Sequence, residues 1–510
     1  MLGVSVLWPG PMEPTERLVV DATAVTDLGI DRILTDIVGE DEYRLRSWFV
    51  RPVRDPDTVR YRQEVFADLT DDSVRAVFDE FAAGMRTVRK RLAWRDRLHH
   101  PHQRQRWQLG AAADYRDTVT RLADALASLP LRSRALTRWR EFVTAYVEGP
   151  GFDRLATAGR RAEQALGELR YSLRIVGRTL EVAPADAASD YSAAIAKLFS
   201  RFGSGVPRPP RQRSEWDDMN QMEEQILDRV AALHPAAFRQ LTEFASEYEQ
   251  FADTDVMTFE REIQFYLTYL AFARRLRGAE RAMCLPQLAS RATPIHAEDA
   301  FDLGLLTRHG RADATVVCND FRLSGPERVL VVTGPNQGGK TTFARTIGQL
   351  VYLAALGCPV PARTACLPLP DRLCTHFERA EQASDPDGRL ADELVRIREA
   401  LETATADSVI VLNESFSATS TADAVRIGRD VLDRIVERGS IAVWVTFFDE
   451  LARSGPATVS MVAATDPDDP SLRTFRIERR PADGDADAVV LAERFGLTYD
   501  LVVDRIASCG

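Results

Sequence analysis

A chain of 510 residues with 45% hydrophobic and 28% charged residues has the make-up of a soluble globular protein of about two to four domains. Its formal net charge of -11, from 65 basic and 76 acidic residues, excludes a surface coated in positive charge, so contact with nucleic acid has to come from a local patch. No apolar run approaches the about 18 residues of a transmembrane helix, the segment from Met1 to Pro11 lacks the basic start and full apolar stretch of a secretory signal, and six cysteines without a C-x-x-C pair (Cys284, Cys318, Cys358, Cys366, Cys374, Cys509) read as reduced thiols of a cytoplasmic protein.

Along the chain, helical periodicity dominates from about residue 75 to 280. A basic stretch comes first: Arg86, Arg89, Lys90, Arg91, Arg95, Arg97, Arg104 and Arg106, with Trp94 inside it and Trp107 at its end. It reads either as a solvated helix face and loop or as a surface for phosphates. His99, His100 and His102 lie in the same stretch and, with no Cys or carboxylate cluster beside them, read as a polar loop before a metal site. Helical spacing is clear in Tyr115 to Leu129, Arg134 to Val147 and Glu215 to Leu233, and an apolar stripe runs on from Phe238 to Leu276. Two breaks interrupt the pattern. Tyr171 to Val182 alternates as a strand hairpin turning at Gly177, and Phe202 to Arg213 reads as an Arg-rich linker.

From about residue 300 apolar strands alternate with helices, the signature of an α/β sheet. There Val329-Leu330-Val331-Val332 leads into Gly334-Pro335-Asn336-Gln337-Gly338-Gly339-Lys340-Thr341, the pattern G-x-x-x-x-G-K-[ST], and a helical stretch beginning at Thr342 follows. Closely spaced glycines let backbone N–H groups turn toward phosphate oxygens, a lysine reaches the β and γ phosphates, and a Thr hydroxyl ligates Mg²⁺. Lys90, Lys197 and Lys340 are the chain's three lysines, so a protein that writes nearly all its positive charge as Arg keeps Lys in this loop. About 70 residues on, Ser408 to Leu412 predicts a buried strand ending in Asn413-Glu414. Glu414 is the candidate general base or water-orienting carboxylate. Asn413 stands where an Asp is usual, leaving a neutral oxygen for a metal ion.

These motifs resemble the ATPase domain of the MutS DNA mismatch-repair family. The resemblance is carried by Val332 to Thr342, by Leu356-Gly357-Cys358-Pro359-Val360-Pro361-Ala362, by Asn319-Asp320, Asn413-Glu414, Ala418 to Asp423 and Val445 to Leu451. Upstream, Trp48 to Asp55 with Arg60-Tyr61-Arg62 looks like the start of the MutS core domain, and Phe301-Asp302-Leu303 like the beginning of its ATPase. It implies an α/β P-loop ATPase domain of ABC type preceded by a mainly α-helical core or lever domain. The division would be 1–90 for the first part of the core, 91–300 for the helical region with a short insert near 171–213, and 301–510 for the ATPase. The resemblance further implies ATP with Mg²⁺ in a composite site across a homodimer, and DNA as partner, with no membrane. Asn319 would lie near the adenine, Gly334 to Thr342 around the phosphates, Thr341 and Asn413 on the metal, Glu414 on the attacking water, and Ser420 to Asp423 at the subunit boundary.

Several positions depart from the family. Gly388-Arg389 is followed by Leu390-Ala391 where Ser-Thr is expected, Phe447 replaces a His, and Asn413 replaces an Asp, which favours holding ATP over turning it over. No mismatch-reading or connector domain is expected ahead of Trp48, and no helix-turn-helix extension after Leu497. The alternative function is a nucleotide-gated binding protein acting on a protein or ribonucleoprotein partner. An ABC transporter subunit is disfavoured by the lack of an L-S-G-G-Q-like signature.

Overall fold

The structure is a computed structural model and describes residues 4–10, 12–177, 179–185, 218–276, 281–290, 292–309, 316–378, 389–416, 419–466, 469 and 472–482. Numbered along the chain, the described strands are β1 (Val19–Val20), β2 (Tyr171–Val176), β3 (Thr179–Pro184), β4 (Gln287–Leu288), β5 (Ile295–Ala300), β6 (Asn319–Leu323), β7 (Val329–Thr333), β8 (Thr364–Leu367), β9 (Arg372–Phe377), β10 (Val409–Asn413), β11 (Ile441–Val445), β12 (Thr458–Thr465) and β13 (Arg473–Arg479). The chain divides into two compact units: residues 1–71, 132–135 and 261–510 form one, and residues 72–131 and 136–260 the other. These units are a different partition from the three segments read from the sequence, which stand as a proposal.

In the first unit, β7 and β10 are buried at every residue. Continuous apolar runs of this kind belong in a parallel sheet covered on both faces. They lie in a seven-stranded sheet of order β1-β9-β10-β11-β7-β12-β13, parallel at every pairing except β12 with β13. The order places the end of β7 beside the ends of β11 and β12, with β10 one strand away. A helix at Lys340–Ala355 follows β7, and another at Thr421–Arg438 precedes β11. Trp444, Phe416, Ile410, Leu412, Leu432 and Ile435 meet in one core cluster of this unit. A second sheet, β4-β8-β5-β6, carries Asn319 at the start of β6. At the other margin the two-residue β1 pairs with β9, Val19 with Arg372 and Val20 with Leu373, so the first residues of the chain join the large sheet.

The second unit is helical, as its periodicity predicts, with long helices at Asp72–Arg95 and Pro101–Ser128. Trp139 stacks on Phe259 with ring centroids 3.8 Å apart, and Phe78 and Phe81 pack around the same phenylalanine. β2 and β3 form the expected antiparallel hairpin, with Gly177 at φ 65° in its turn. The apolar stripe from Phe238 to Leu276 is carried by two helices. It breaks into Pro235–Glu247 and Thr254–Leu276, because the Asp253 carboxylate accepts the N–H groups of Asp255 and Val256 and starts a new helix. The expected helix from Glu215 is described from Gln221, where Asn220 and Glu223 form a capping box. The Arg-rich linker at Phe202 to Arg213 lies outside the described residues.

Among the described residues no helix is long and apolar enough to cross a membrane, and the five described cysteines are free.

Candidate functional site

The glycine-rich loop leaves β7 at Thr333 and returns as the helix starting at Lys340. Gly334 has φ 107°, and a Cβ there would stand 3.0 Å from the backbone N and O of Ala463 on β12. Both the left-handed conformation and the close neighbouring strand therefore demand glycine. Gln337 at φ 62° and Gly339 at φ 91° complete the turn.

The Lys340 side chain is 3% exposed. Its ammonium donates to the carbonyls of Gly334 (2.7 Å) and Pro335 (3.0 Å), and the Phe447 ring centroid lies 4.7 Å from Nζ. One residue on, the Thr341 hydroxyl donates to Asn413 Oδ1 at 2.9 Å, tying the loop to the end of β10. Glu414 follows at φ 55°, its N–H donating to the Val445 carbonyl at 2.9 Å. The turn beyond it is held by Glu393, 1% exposed, whose carboxylate accepts the N–H of Phe416 at 3.0 Å.

A cleft of about 400 Å³ opens on this loop, lined by Leu305, Val316, Val317, Asn319, Gln337, Gly339, Lys340, Thr341, Thr342, Glu414 and Phe475. Seven of the residues singled out from the sequence thus share one cavity: Asn319, Gln337, Gly339, Lys340, Thr341, Thr342 and Glu414. Its lining combines the apolar side chains of Leu305, Val316, Val317 and Phe475 with an ammonium, a hydroxyl and a carboxylate. Asn319 is engaged with β13: its amide donates to the Phe475 carbonyl (3.1 Å) and accepts from the Ile477 N–H (2.7 Å).

Other predicted positions lie elsewhere. Gly334, Pro335, Asn336 and Gly338 shape the loop without lining the cleft, and Asn413 sits behind Thr341. Ser420 caps the helix Thr421–Arg438, its hydroxyl accepting the Asp423 N–H and donating to the Asp423 carboxylate at 2.8 Å. Neither Ser420 nor Asp423 lines the cleft. Leu390 packs against the core of its own unit, while Gly388 and Ala418 fall outside the described residues. Sequence reasoning missed Phe475 and Glu393. Phe475 reaches the cleft through the β13 pairing, more than 130 residues beyond the loop, and no local pattern marks it; Glu393 is one acid among many on an amphipathic helix.

In the helical unit the basic stretch is partly self-neutralised. Arg89 pairs with Glu260 (3.0 Å), Arg91 with Asp114 (2.6 Å) and Arg95 with Asp96 (2.7 Å). Arg91 also covers Trp107, and Arg97 lies over Trp94. Arg86, Lys90, Arg97, Arg104 and Arg106 are exposed. His100 is buried against Asp228 at 3.2 Å, and His102 faces Gln105.

A parallel sheet whose strand ends carry a glycine-rich loop, a buried lysine and a Thr-Asn hydrogen bond defines a mixed α/β domain, and the family model described as MutS domain V matches residues 330–467 of it. Through this domain the chain is similar to the MutS family. The DNA mismatch repair protein MutS of Shouchella clausii is 35% identical over 136 residues, 26% of this chain and 16% of that protein. The protein of the same name from Sorangium cellulosum is 30% identical over 226 residues, 42% of this chain and 25% of its own length. The DNA mismatch repair protein MutS 2 of Halobacterium salinarum is 33% identical over 142 residues, 28% and 16%. The chain therefore spans a quarter or less of these relatives.

Proposed function

We propose that the chain is a MutS-like ATP-binding protein of P-loop, ABC-type fold, with ATPase activity, that couples its nucleotide state to DNA binding in a mismatch-repair-related role as a cytoplasmic homodimer. The observation that carries the nucleotide half is the single cleft shared by Lys340, Thr341, Glu414 and Asn319. Its apolar side chains suit a base, and its ammonium, hydroxyl and loop N–H groups suit phosphates. The DNA half draws on what the relatives' names say of them and on the exposed arginines of the helical unit.

Glu414 is proposed to orient the attacking water and accept its proton. Thr341 Oγ1 and Asn413 Oδ1 are hard oxygen donors 2.9 Å apart, a set that fits Mg²⁺. When bound, the ion supplies charge neutralisation to the phosphates. Because both of these donors are neutral, its hold leans on the nucleotide, and turnover is expected to be slow. Ser420 and Asp423 are proposed at a subunit boundary, beyond the cap they form within the chain.

Lys340→Ala is expected to weaken nucleotide binding by about 10-fold or more, the loss of a charge-assisted phosphate contact, with circular dichroism unchanged. Nucleotide affinity equal to wild type would remove the site assignment. The second reading, a nucleotide-gated protein acting on a protein or ribonucleoprotein, predicts the same nucleotide binding with no affinity for homoduplex, mismatched, branched or single-stranded DNA.

A further inference from the structure

We propose that Phe447 makes the cleft discriminate against a third phosphate, so that the isolated chain binds a nucleoside diphosphate more tightly than the matching triphosphate. The inference rests on reading the cleft as a nucleotide site.

Backbone geometry fixes where this ring lies. β11 ends at Val445, but Thr446 still donates its N–H to the Val332 carbonyl at 3.0 Å, so the chain follows β7 up to the mouth of the loop. The Thr446 hydroxyl then accepts the Phe448 N–H at 3.2 Å and turns the chain away. Phe447, at the head of this turn, holds its ring 4.7 Å from the Lys340 ammonium and stays 44% exposed. An exposed phenylalanine beside a buried lysine is the reverse of ordinary burial preference.

The reach of Lys340 assigns the phosphates affected. A loop lysine reaches the β and γ phosphates, and Glu414, read as the residue that orients the attacking water, marks the last of them; Lys340 and Glu414 line the same cleft. There the ammonium is already held by two carbonyls and an aromatic face. The face carries negative partial charge, which attracts a cation and repels phosphate oxygens. It also offers no N–H or O–H to a γ phosphate. A triphosphate has to displace the ring to recruit Lys340 fully. A diphosphate, one phosphate shorter, keeps the backbone N–H groups of the loop and Thr341 and asks Lys340 to meet one phosphate rather than two.

The size of the effect follows from the ring–cation contact, about 2-fold to 30-fold in affinity. The test is equilibrium titration of wild type and Phe447→Ala with fluorescent ADP and a fluorescent, non-hydrolysable ATP analogue in Mg²⁺ buffer. Wild type is expected to favour the diphosphate. Phe447→Ala is expected to gain about 2-fold to 30-fold for the triphosphate while its diphosphate affinity moves by less than about 2-fold, which also reports an intact fold. Should that variant fold poorly, Phe447→Met keeps the apolar bulk without the ring face and carries the same expectation. Equal affinities in wild type, or an unchanged ratio in the variants, overturn the proposal. Absence of binding by either nucleotide to wild type overturns instead the reading of the cleft.

Discussion

Glu262 carries a carboxylate into a nearly waterless place in the first unit, 4% exposed. The Ser5 hydroxyl donates to both of its oxygens at 2.9 and 3.0 Å and the Val6 N–H donates at 2.7 Å, so this one side chain fastens the start of the chain. Burial pushes its pKa up from 4.5 to about 7, against the opposing pull of those donors and of the Arg62 guanidinium. The folded protein therefore keeps a proton that the unfolded chain releases between those two values. Stability from this group is fully present below the unfolded pKa, falls as pH rises, and is lost above the folded pKa. The urea midpoint of wild type is expected to drop between about pH 5 and about pH 8, and Glu262→Gln to flatten that part of the profile. Parallel profiles for the two proteins would exclude Glu262 as the source. Nothing in the local sequence announces this residue, because its partners lie more than 250 positions away. Lys340 and Thr341, by contrast, were legible at once, since loop chemistry is written in consecutive residues.

Elements were legible where local pattern and tertiary environment agree. β7 and β10 read as apolar runs because parallel strands are buried on both faces. The stripe after Phe238 did not show where its helices divide, because a period of apolar residues continues through the turn and the Asp253 cap looks like any surface acid. The end of the helix Lys340–Ala355 offers a sharper test of how elements lock together. Gly357 sits at φ 75°, and a Cβ there would come 2.9 Å from Arg62 Cβ and 3.1 Å from the Val59 carbonyl oxygen. Beside it, Arg62 is fully buried and donates to the Leu356 carbonyl at 2.9 Å. Gly357→Ala adds left-handed strain of about 1–2 kcal/mol and overpacking of about 1–3 kcal/mol. The expected loss is about 2–5 kcal/mol, read as a lowered urea midpoint with an unchanged slope. A wild-type midpoint would show that the helix end and Arg62 yield together more easily than their burial suggests.

At the scale of the whole molecule, the proposed nucleotide cleft belongs to one compact unit and the exposed arginines to the other. Composition could say that a chain of net charge -11 needs a local patch. It could not say which arginines stay available, because Arg89, Arg91 and Arg95 meet acidic partners and only the fold brings Glu260 and Asp114 to the first two of them. The remaining exposed charges of this stretch, Arg86, Lys90, Arg97, Arg104 and Arg106, set an upper bound on what this patch contributes to DNA binding. Each phosphate neutralised contributes about -0.9 to the slope of log K against log salt, so five give about -4.5 per chain. Replacing Arg104 and Arg106 together by Ala is expected to weaken binding to every duplex by a similar factor and to reduce the slope by about 2. If nucleotide state governs this surface, the slope measured with Lys340→Ala will be the same with and without ATP, while wild type gives two different slopes. A salt slope untouched by the double substitution would move the DNA surface off this patch, and identical wild-type slopes in both nucleotide conditions would separate the two units functionally.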